Sequence, residues 1–160
     1  MRACLALCML LVGAALAPAP EMLAGEIASA RGDFDRAVAH LERSVRLEDS
    51  LVYTEPSEFH FPPRHALGAV LLEAGRPLEA ETVYWEDLRR NQDNGWALFG
   101  LLQALRAQGK TENAALVEAR LAKAWARADV KLTASRFGRP LLQGPRAQGS
   151  ALRPESPGTN

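Results

Sequence analysis

The chain has 160 residues, of which 48% are hydrophobic and 24% are charged, with 19 basic and 19 acidic side chains. This length and apolar content suit one domain with its own core. The formal net charge of zero provides no basic field to attract nucleic acid and no acidic field to concentrate cations, which argues against a nucleic-acid-binding protein.

The N-terminal segment, residues 1–20, is predicted to contain a signal peptide. Arg2 precedes an uncharged apolar run from Ala3 to Ala17, which resembles a secretory signal and is short for a membrane span. Cleavage after Ala15 would remove both cysteines, Cys4 and Cys8, and with them any disulfide or thiol chemistry. The alternative is that this run is a remnant helix from a lost upstream repeat.

Three glycines with a common sequence context indicate internal repeats. Gly32, Gly75 and Gly109 are each followed five residues later by an alanine, and Gly75 and Gly109 are 34 residues apart. A glycine can adopt positive φ at the end of a helix, and small residues let two helices cross closely. Large apolar residues recur at i, i+3, i+4 and i+7, as on one face of a helix. The pattern predicts stacked helical hairpins.

The first hairpin is predicted over Met22 to Leu47, with Asp33 as the N-cap of its second helix. The distance from Gly32 to Gly75 is 43 residues, so residues 50–61 are predicted to be an insertion between the first two hairpins. Prolines in and next to it exclude a continuous helix there. Its aromatic side chains are expected to pack on their own scaffold more often than to grip a ligand.

The second hairpin is predicted from Pro63 to Arg90 and the third from Gly95 to Ala128. Pro77 would lie in the first turn of a helix, where proline is tolerated, and Asn94 and Thr111 are predicted N-caps.

The C-terminal part divides into two segments. Val130 to Phe137 is predicted to be an apolar extension that covers the open end of the stack, because a repeat array otherwise exposes the inner face of its last hairpin. Residues 138–160, with recurrent Gly and Pro, are predicted to be a disordered tail.

The second repeat resembles the tetratricopeptide repeat (TPR) family. The match consists of Leu67-Gly68, Gly75, Ala80 and Tyr84 at the family's internal spacing, and the resemblance covers about residues 21–125. Residues 51–56 and 94–101 resemble the C-terminal part of longer bacterial TPR proteins. The resemblance implies an all-α, TPR-like α-solenoid over residues 21–137, with about three hairpins and a C-terminal capping extension.

The resemblance also implies where a partner would bind, because in this family the first helix of each hairpin lines a concave groove. The residues that the family's helical phase places toward the groove, in chain order, are Met22, Glu26, Ser29, His65, Ala69, Glu73, Trp96, Phe99, Gln103 and Arg106. The predicted partner-binding residues among them are His65, Glu73, Trp96, Phe99, Gln103 and Arg106. Trp, Phe and Arg often dominate interfaces. The alternative is that Trp96 and Phe99 pack under the insertion or an adjoining helix.

No catalytic, cofactor or metal site is predicted. Ala104 to Thr111 fits a loose phosphate-loop pattern, but the leucines before it predict a helix where that motif needs a strand and free backbone N–H groups. Glu58, His60 and His65 have no known metal-ligand spacing. The acidic residues between Glu79 and Asp87 are expected to form a solvated face. No Ser/His/Asp or Cys/His set suggests nucleophilic catalysis.

The predicted function is that of a non-enzymatic protein-interaction module that binds a peptide or protein partner in the concave groove. The alternative is a structural end cap or self-associating fragment of a longer TPR protein, without a ligand of its own. Neither nucleic acid nor a stable membrane span in the mature chain is expected. A cleaved signal peptide implies a secreted or periplasmic protein, and a remnant helix implies a cytoplasmic one.

Overall fold

The computed structural model describes residues 18–51 and 61–136, and the secondary structure of these residues is helical. The helices, in chain order, are α1 Pro18–Ala30, α2 Phe34–Asp49, α3 Pro63–Glu73, α4 Pro77–Arg90, α5 Gly95–Ala107 and α6 Thr111–Ala124. They pack as three hairpins: hairpin one (α1–α2), hairpin two (α3–α4) and hairpin three (α5–α6). The chain therefore has the predicted all-α, TPR-like solenoid fold.

The turns within the hairpins depend on the three repeated glycines. Gly32, Gly75 and Gly109 have φ values of 81°, 73° and 71°, in the left-handed region that favours glycine. In each turn, the residue after the glycine donates its N–H to the carbonyl five residues earlier, at 2.8–3.0 Å. This bond closes the helix end as in a Schellman motif and confirms the turns predicted from the repeat.

Side-chain caps start two of the helices as predicted. Oδ1 of Asp33 accepts from the N–H of Arg36 at 3.3 Å, and Oδ1 of Asn94 accepts from the N–H of Trp96 at 2.9 Å. The prediction for Thr111 was wrong, since Thr111 is the first helical residue of α6 and its N-cap, Lys110, makes no side-chain capping bond. Here the turn that follows Gly109 starts the helix without a side-chain cap.

The core between hairpins two and three is built around Tyr84 of α4, which is fully buried. A Cβ at Gly68 of α3 or at Gly100 of α5 would overlap the Tyr84 ring. The aromatic ring therefore fits between two first helices only because both positions are glycine, which allows close helix packing.

An ionic cluster joins α2 to hairpin two. Arg64 donates from Nη2 to Oδ2 of Asp49 at 2.6 Å and from Nη1 to Oε2 of Glu48 at 3.3 Å, and Arg90 also pairs with Asp49. Burial opposes ionisation of Asp49, but Arg64 and Arg90 outweigh it and lower its pKa. For Glu48 burial dominates, and its pKa is raised to about 7.

The first helices lie on the inner side of the stack. Helix α3 contacts both α1 and α5, whereas the second helices make no contacts of comparable extent with one another among the described residues. The stack is therefore tighter along α1, α3 and α5, and we refer to this side as the concave face.

Several predictions concern residues outside the described ranges. These are residues 1–17 of the predicted signal-peptide segment, with both cysteines, most of the insertion, including Glu58 and His60, and the C-terminal tail. Residues 18–20, which were predicted to belong to the N-terminal segment, instead begin α1. None of the helices formed by the described residues is long and apolar enough to cross a membrane.

Candidate functional site

The concave face over hairpins one and two holds an arginine from the C-terminal extension. Arg136 donates from Nη1 to Oε2 of Glu26 at 2.6 Å, and from Nη2 to Oε1 of Glu73 at 2.7 Å and Oγ of Ser29 at 3.3 Å. Glu26 and Ser29 belong to α1 and Glu73 to α3. We call these four residues the arginine site.

The electrostatics of the arginine site favour a bound guanidinium. The Arg136 side chain is only 2% exposed, and burial alone would lower its pKa, but Glu26 and Glu73 outweigh that effect and raise it. Two carboxylates surround one cation, and Ser29 also donates to Glu73 at 3.4 Å. A guanidinium buried between carboxylates is a strong, charge-assisted contact, because its N–H groups form a planar fork.

The residue before Arg136 extends the contact along α3. Oγ of Ser135 donates to the carbonyl of His65 at 3.2 Å and lies 2.5 Å from the hydroxyl of Tyr84. Burial raises the pKa of Tyr84, so its hydroxyl keeps its proton and can donate to Ser135. Ala134 and Ser135 are both buried. Residues 134–136 thus follow the concave face from hairpin two to hairpin one.

The C-terminal extension packs on the repeat domain, but its buried part lies on the concave face. The extension was expected to cover the open end of hairpin three, where Leu116 of α6 is 69% exposed. After α6, the indole Nε1 of Trp125 donates to the carbonyl of Val130 at 2.7 Å, and the chain then reaches α3 and α1. The attraction of Arg136 to Glu26 and Glu73 gives a physical reason for this course.

His65 lies under the concave face, with a buried side chain. Its Nε2 is 3.0 Å from Oδ2 of Asp87 on α4, and each side chain is 2% exposed. Asn91 donates to the other oxygen of Asp87 at 3.1 Å, and the Phe61 ring meets the imidazole edge to face at 5.5 Å. The family's helical phase placed His65 toward the groove, but its side chain is buried against α4 and its carbonyl accepts from Ser135 on the concave face.

The prediction of a solvated acidic face was wrong for Asp87. It follows the buried residues Ala80 and Tyr84 by seven and three positions, so helical phase turns it toward α3. This spacing could have predicted the burial of Asp87 from the sequence alone. The prediction was also wrong for Glu81, whose side chain is 14% exposed and pairs with Lys110 at 2.6 Å. Glu79 pairs with Arg76 and Glu86 with Arg89 near the surface.

Hairpin three places its predicted partner-binding residues differently. Trp96 meets Trp125 edge to face, with ring centroids 6.0 Å apart. Arg106 donates to Glu118 of α6 at 2.8 Å and is 49% exposed. Phe99 and Gln103 are half-buried. Trp96 and Arg106 therefore contact the second half of their own hairpin, while Phe99 and Gln103 lie between them along α5.

The phosphate-loop and metal patterns form no competing site in the described part of the chain. Residues 104–107 are helical and Gly109 forms the turn between α5 and α6, so the phosphate-loop pattern falls on a helical hairpin. The described residues contain no group of three or more potential metal ligands.

A second surface lies at the N-terminal end of the stack, which we call the end face. It contains a cavity of about 330 Å³ lined by Ala24, Ile27, Ala28, Arg31, Asp33, Arg36 and His40. Leu23 and Ile27 are 62% and 43% exposed. Oε2 of Glu21 bonds both Nδ1 of His40 at 2.7 Å and Nε of Arg43 at 3.0 Å, so a polar border lies beside these apolar residues.

The chain is similar in sequence to a known protein. Cellulose synthase operon protein C of Xanthomonas axonopodis pv. citri (strain 306) is 34% identical over 101 residues, which cover 63% of this chain and 6% of that protein. No protein-family model matches the chain, and no solved structure matches it. The chain thus spans a small part of its relative, and the similarity is compatible with a TPR-like repeat.

Proposed function

We propose that the chain is a non-enzymatic protein-interaction module that binds a peptide segment of a protein partner on its concave face. The observation that carries this proposal is the burial of residues 134–136, a non-helical segment, against the first helices α1 and α3. A surface that accommodates one irregular segment and binds its Ser135 hydroxyl and both terminal nitrogens of Arg136 has the shape and chemistry for peptide recognition.

The part of the concave face on hairpin three offers further contacts to a partner. Phe99 and Gln103 are half-buried on α5, and Trp96 lies one turn before Phe99. Aromatic side chains on a rigid helix are common anchors in interfaces. We propose that a partner extends from hairpin two across Phe99 and Gln103.

The relative suggests the setting in which this module works. That protein is named for a cellulose synthase operon, and the apolar N-terminal run of this chain resembles a secretory signal. We therefore propose an exported protein, secreted or periplasmic, whose partner belongs to a cellulose-synthesis apparatus.

A matched pair of aromatic variants tests the groove. Phe99→Ala should weaken the affinity for a co-purifying partner about tenfold or more, as expected for an interface anchor. Trp85→Ala, at a 41% exposed position on the second helix α4, should leave the affinity unchanged. Affinity is measured by titration calorimetry, and circular dichroism checks that both variants are folded. Equal affinities for Phe99→Ala and the wild type would contradict the proposed groove.

The end face supports a second candidate function, which is stacking on another hairpin, in a second copy or in a longer array. Exposed Leu23 and Ile27 beside a cavity resemble the inner face of a repeat that lacks its neighbour. Ile27→Lys should abolish concentration-dependent association in analytical ultracentrifugation, while Leu78→Lys, at a 64% exposed position on α4 of the middle hairpin, should not. A wild-type chain that remains monomeric at all concentrations would exclude self-association.

A further inference from the structure

We propose that the arginine site is a recognition site for an arginine-bearing peptide segment of the partner, and that the chain's own Arg136 occupies it in competition. This inference rests on the function proposed above and defines the chemistry of the ligand. It also makes residues 134–136 an autoinhibitory segment, since a partner has to displace them to reach Glu26 and Glu73.

The geometry selects arginine over lysine. Glu26 and Glu73 lie on different helices, and Arg136 reaches them with different nitrogens, Nη1 and Nη2, at 2.6 and 2.7 Å. The rigid guanidinium fork presents donors in two directions at once, whereas the ammonium group of lysine is a single compact charge. A lysine in the same position would satisfy one carboxylate better than the other.

The site also selects the residue before the arginine. The hydroxyl of Ser135 lies between the carbonyl of His65 and the hydroxyl of Tyr84, and the neighbouring Ala134 is buried. A larger side chain at either position would meet buried atoms of the concave face. The preferred ligand is therefore a small residue followed by serine and arginine.

The occupying segment can leave without unfolding a hairpin. Residues 131–136 contain no helix, Lys131 and Thr133 are exposed and Leu132 is half-buried, so the fully buried residues of this segment are Ala134, Ser135 and Arg136. A tethered segment has a high effective concentration at its site, on the order of millimolar for a short flexible connection. A partner that carries the same motif must outcompete this tether or present additional contacts, for example to Phe99.

The experiment uses the full chain with Arg136→Ala and a synthetic, terminally blocked peptide with the sequence of residues 130–140. By titration calorimetry, the variant should bind this peptide at least about tenfold more tightly than the wild-type chain does, because the cis competitor is removed. A peptide with alanine in place of its Arg136 should bind the variant at least about tenfold more weakly than the parent peptide, and the lysine peptide should lie between the two.

Two further variants locate the binding. Adding Glu73→Gln to the Arg136→Ala chain should reduce peptide affinity about tenfold, while adding Glu118→Gln, which removes an exposed partner of Arg106 on hairpin three, should leave it unchanged. If Arg136→Ala does not fold, the Arg136→Lys chain retains the positive charge, and the same peptide comparison is made on it.

Equal binding of the arginine and alanine peptides, or equal affinity of the wild-type and variant chains for the arginine peptide, would overturn the inference. Such a result leaves the proposed function intact if Phe99→Ala still weakens partner binding. Conversely, arginine-dependent peptide binding combined with an unchanged Phe99→Ala variant would retain the arginine site and reject the proposed groove on hairpin three.

Discussion

The two parts of the concave face use arginine in different ways. Over hairpins one and two, Arg136 is buried and bonded to two carboxylates from two helices. On hairpin three, Arg106 is 49% exposed and pairs with Glu118 of the same hairpin. A buried cation between carboxylates is costly to leave unpaired, whereas an exposed pair contributes little to stability. The first part is therefore held by the C-terminal extension, and Trp96 and Arg106 on the second part make contacts within hairpin three.

The contacts that join successive hairpins also differ. Hairpins one and two are joined by buried or half-buried ions, namely Arg64 with Glu48 and Asp49, and by the arginine site. Hairpins two and three are joined by the Tyr84 ring against Gly100 and by Oε2 of Glu81, which accepts from Nζ of Lys110 at 2.6 Å. A change in side-chain volume at Gly100 therefore tests the second joint, and a change of charge at Glu48 tests the first.

The largest effect is expected from Arg136→Ala, with Arg106→Ala as its matched control. Removal of Arg136 leaves Glu26 and Glu73 without their cation, and should lower the free energy of unfolding by about 2–4 kcal/mol. Arg106→Ala should cost less than about 1 kcal/mol, because its ion pair is exposed. Urea denaturation measures both. Equal losses for the two variants would contradict the contrast between the two parts of the concave face.

Gly100→Ala is expected to be the next largest change and tests the joint between hairpins two and three. A glycine in a helix usually costs about 1 kcal/mol relative to alanine, but a Cβ here would overlap the Tyr84 ring. Overpacking should reverse the sign and destabilise the chain by about 1–3 kcal/mol. Thermal denaturation measures the effect, and Gly100→Ala should cost much less in a Tyr84→Leu background. A gain in stability from Gly100→Ala alone would show that the joint is looser than described.

The pH dependence of stability should show a smaller effect, at the joint between hairpins one and two. The pKa of Glu48 is raised from 4.5 to about 7, so between these values the folded chain binds more protons at this group than the unfolded chain does. Its contribution to stability is therefore full below about pH 4.5 and is lost as the pH rises to about 7.

Glu48→Gln isolates this contribution. Between about pH 4.5 and 7.5, the wild type should lose about 1–2 kcal/mol relative to Glu48→Gln, a value reduced for partial exposure to solvent. Chemical denaturation across this range measures the difference. The free energy of unfolding of Glu79→Gln, which changes an exposed carboxylate, should vary with pH as that of the wild type does. If the free energy of unfolding of Glu48→Gln also varied with pH as in the wild type, Glu48 would titrate normally.

Local signals in the sequence predicted most of the fold. The spacing of Gly32, Gly75 and Gly109 gave the hairpins, because a positive φ at a helix end strongly favours glycine, and Asn94 marked the start of α5. The prediction that Thr111 is an N-cap failed because a threonine next to a turn can be either the cap or the first helical residue. The burial of Asp87 could have been predicted from its helical spacing relative to Tyr84.

The arginine site could not be predicted in this way. Arg136 is 110 residues from Glu26 and 63 from Glu73 in the sequence, and no periodicity connects the extension to α1 or α3. The resemblance placed Glu26, Ser29 and Glu73 on the concave face, and the structure brings all three together. The resemblance did not indicate that a segment of the same chain covers these three residues. The extension gave little sign of an ionic contact, because it contains only one charged residue, Lys131, before Arg136.

A double-mutant cycle between Arg136 and Glu73 tests the central claim most directly. The free energies of unfolding of Arg136→Ala, Glu73→Gln and the double variant are measured by urea denaturation and compared with the wild type. A contact between a buried guanidinium and a buried carboxylate predicts a coupling energy of about 1–3 kcal/mol. Additive losses, with a coupling energy near zero, would show that Arg136 does not occupy the concave face in solution.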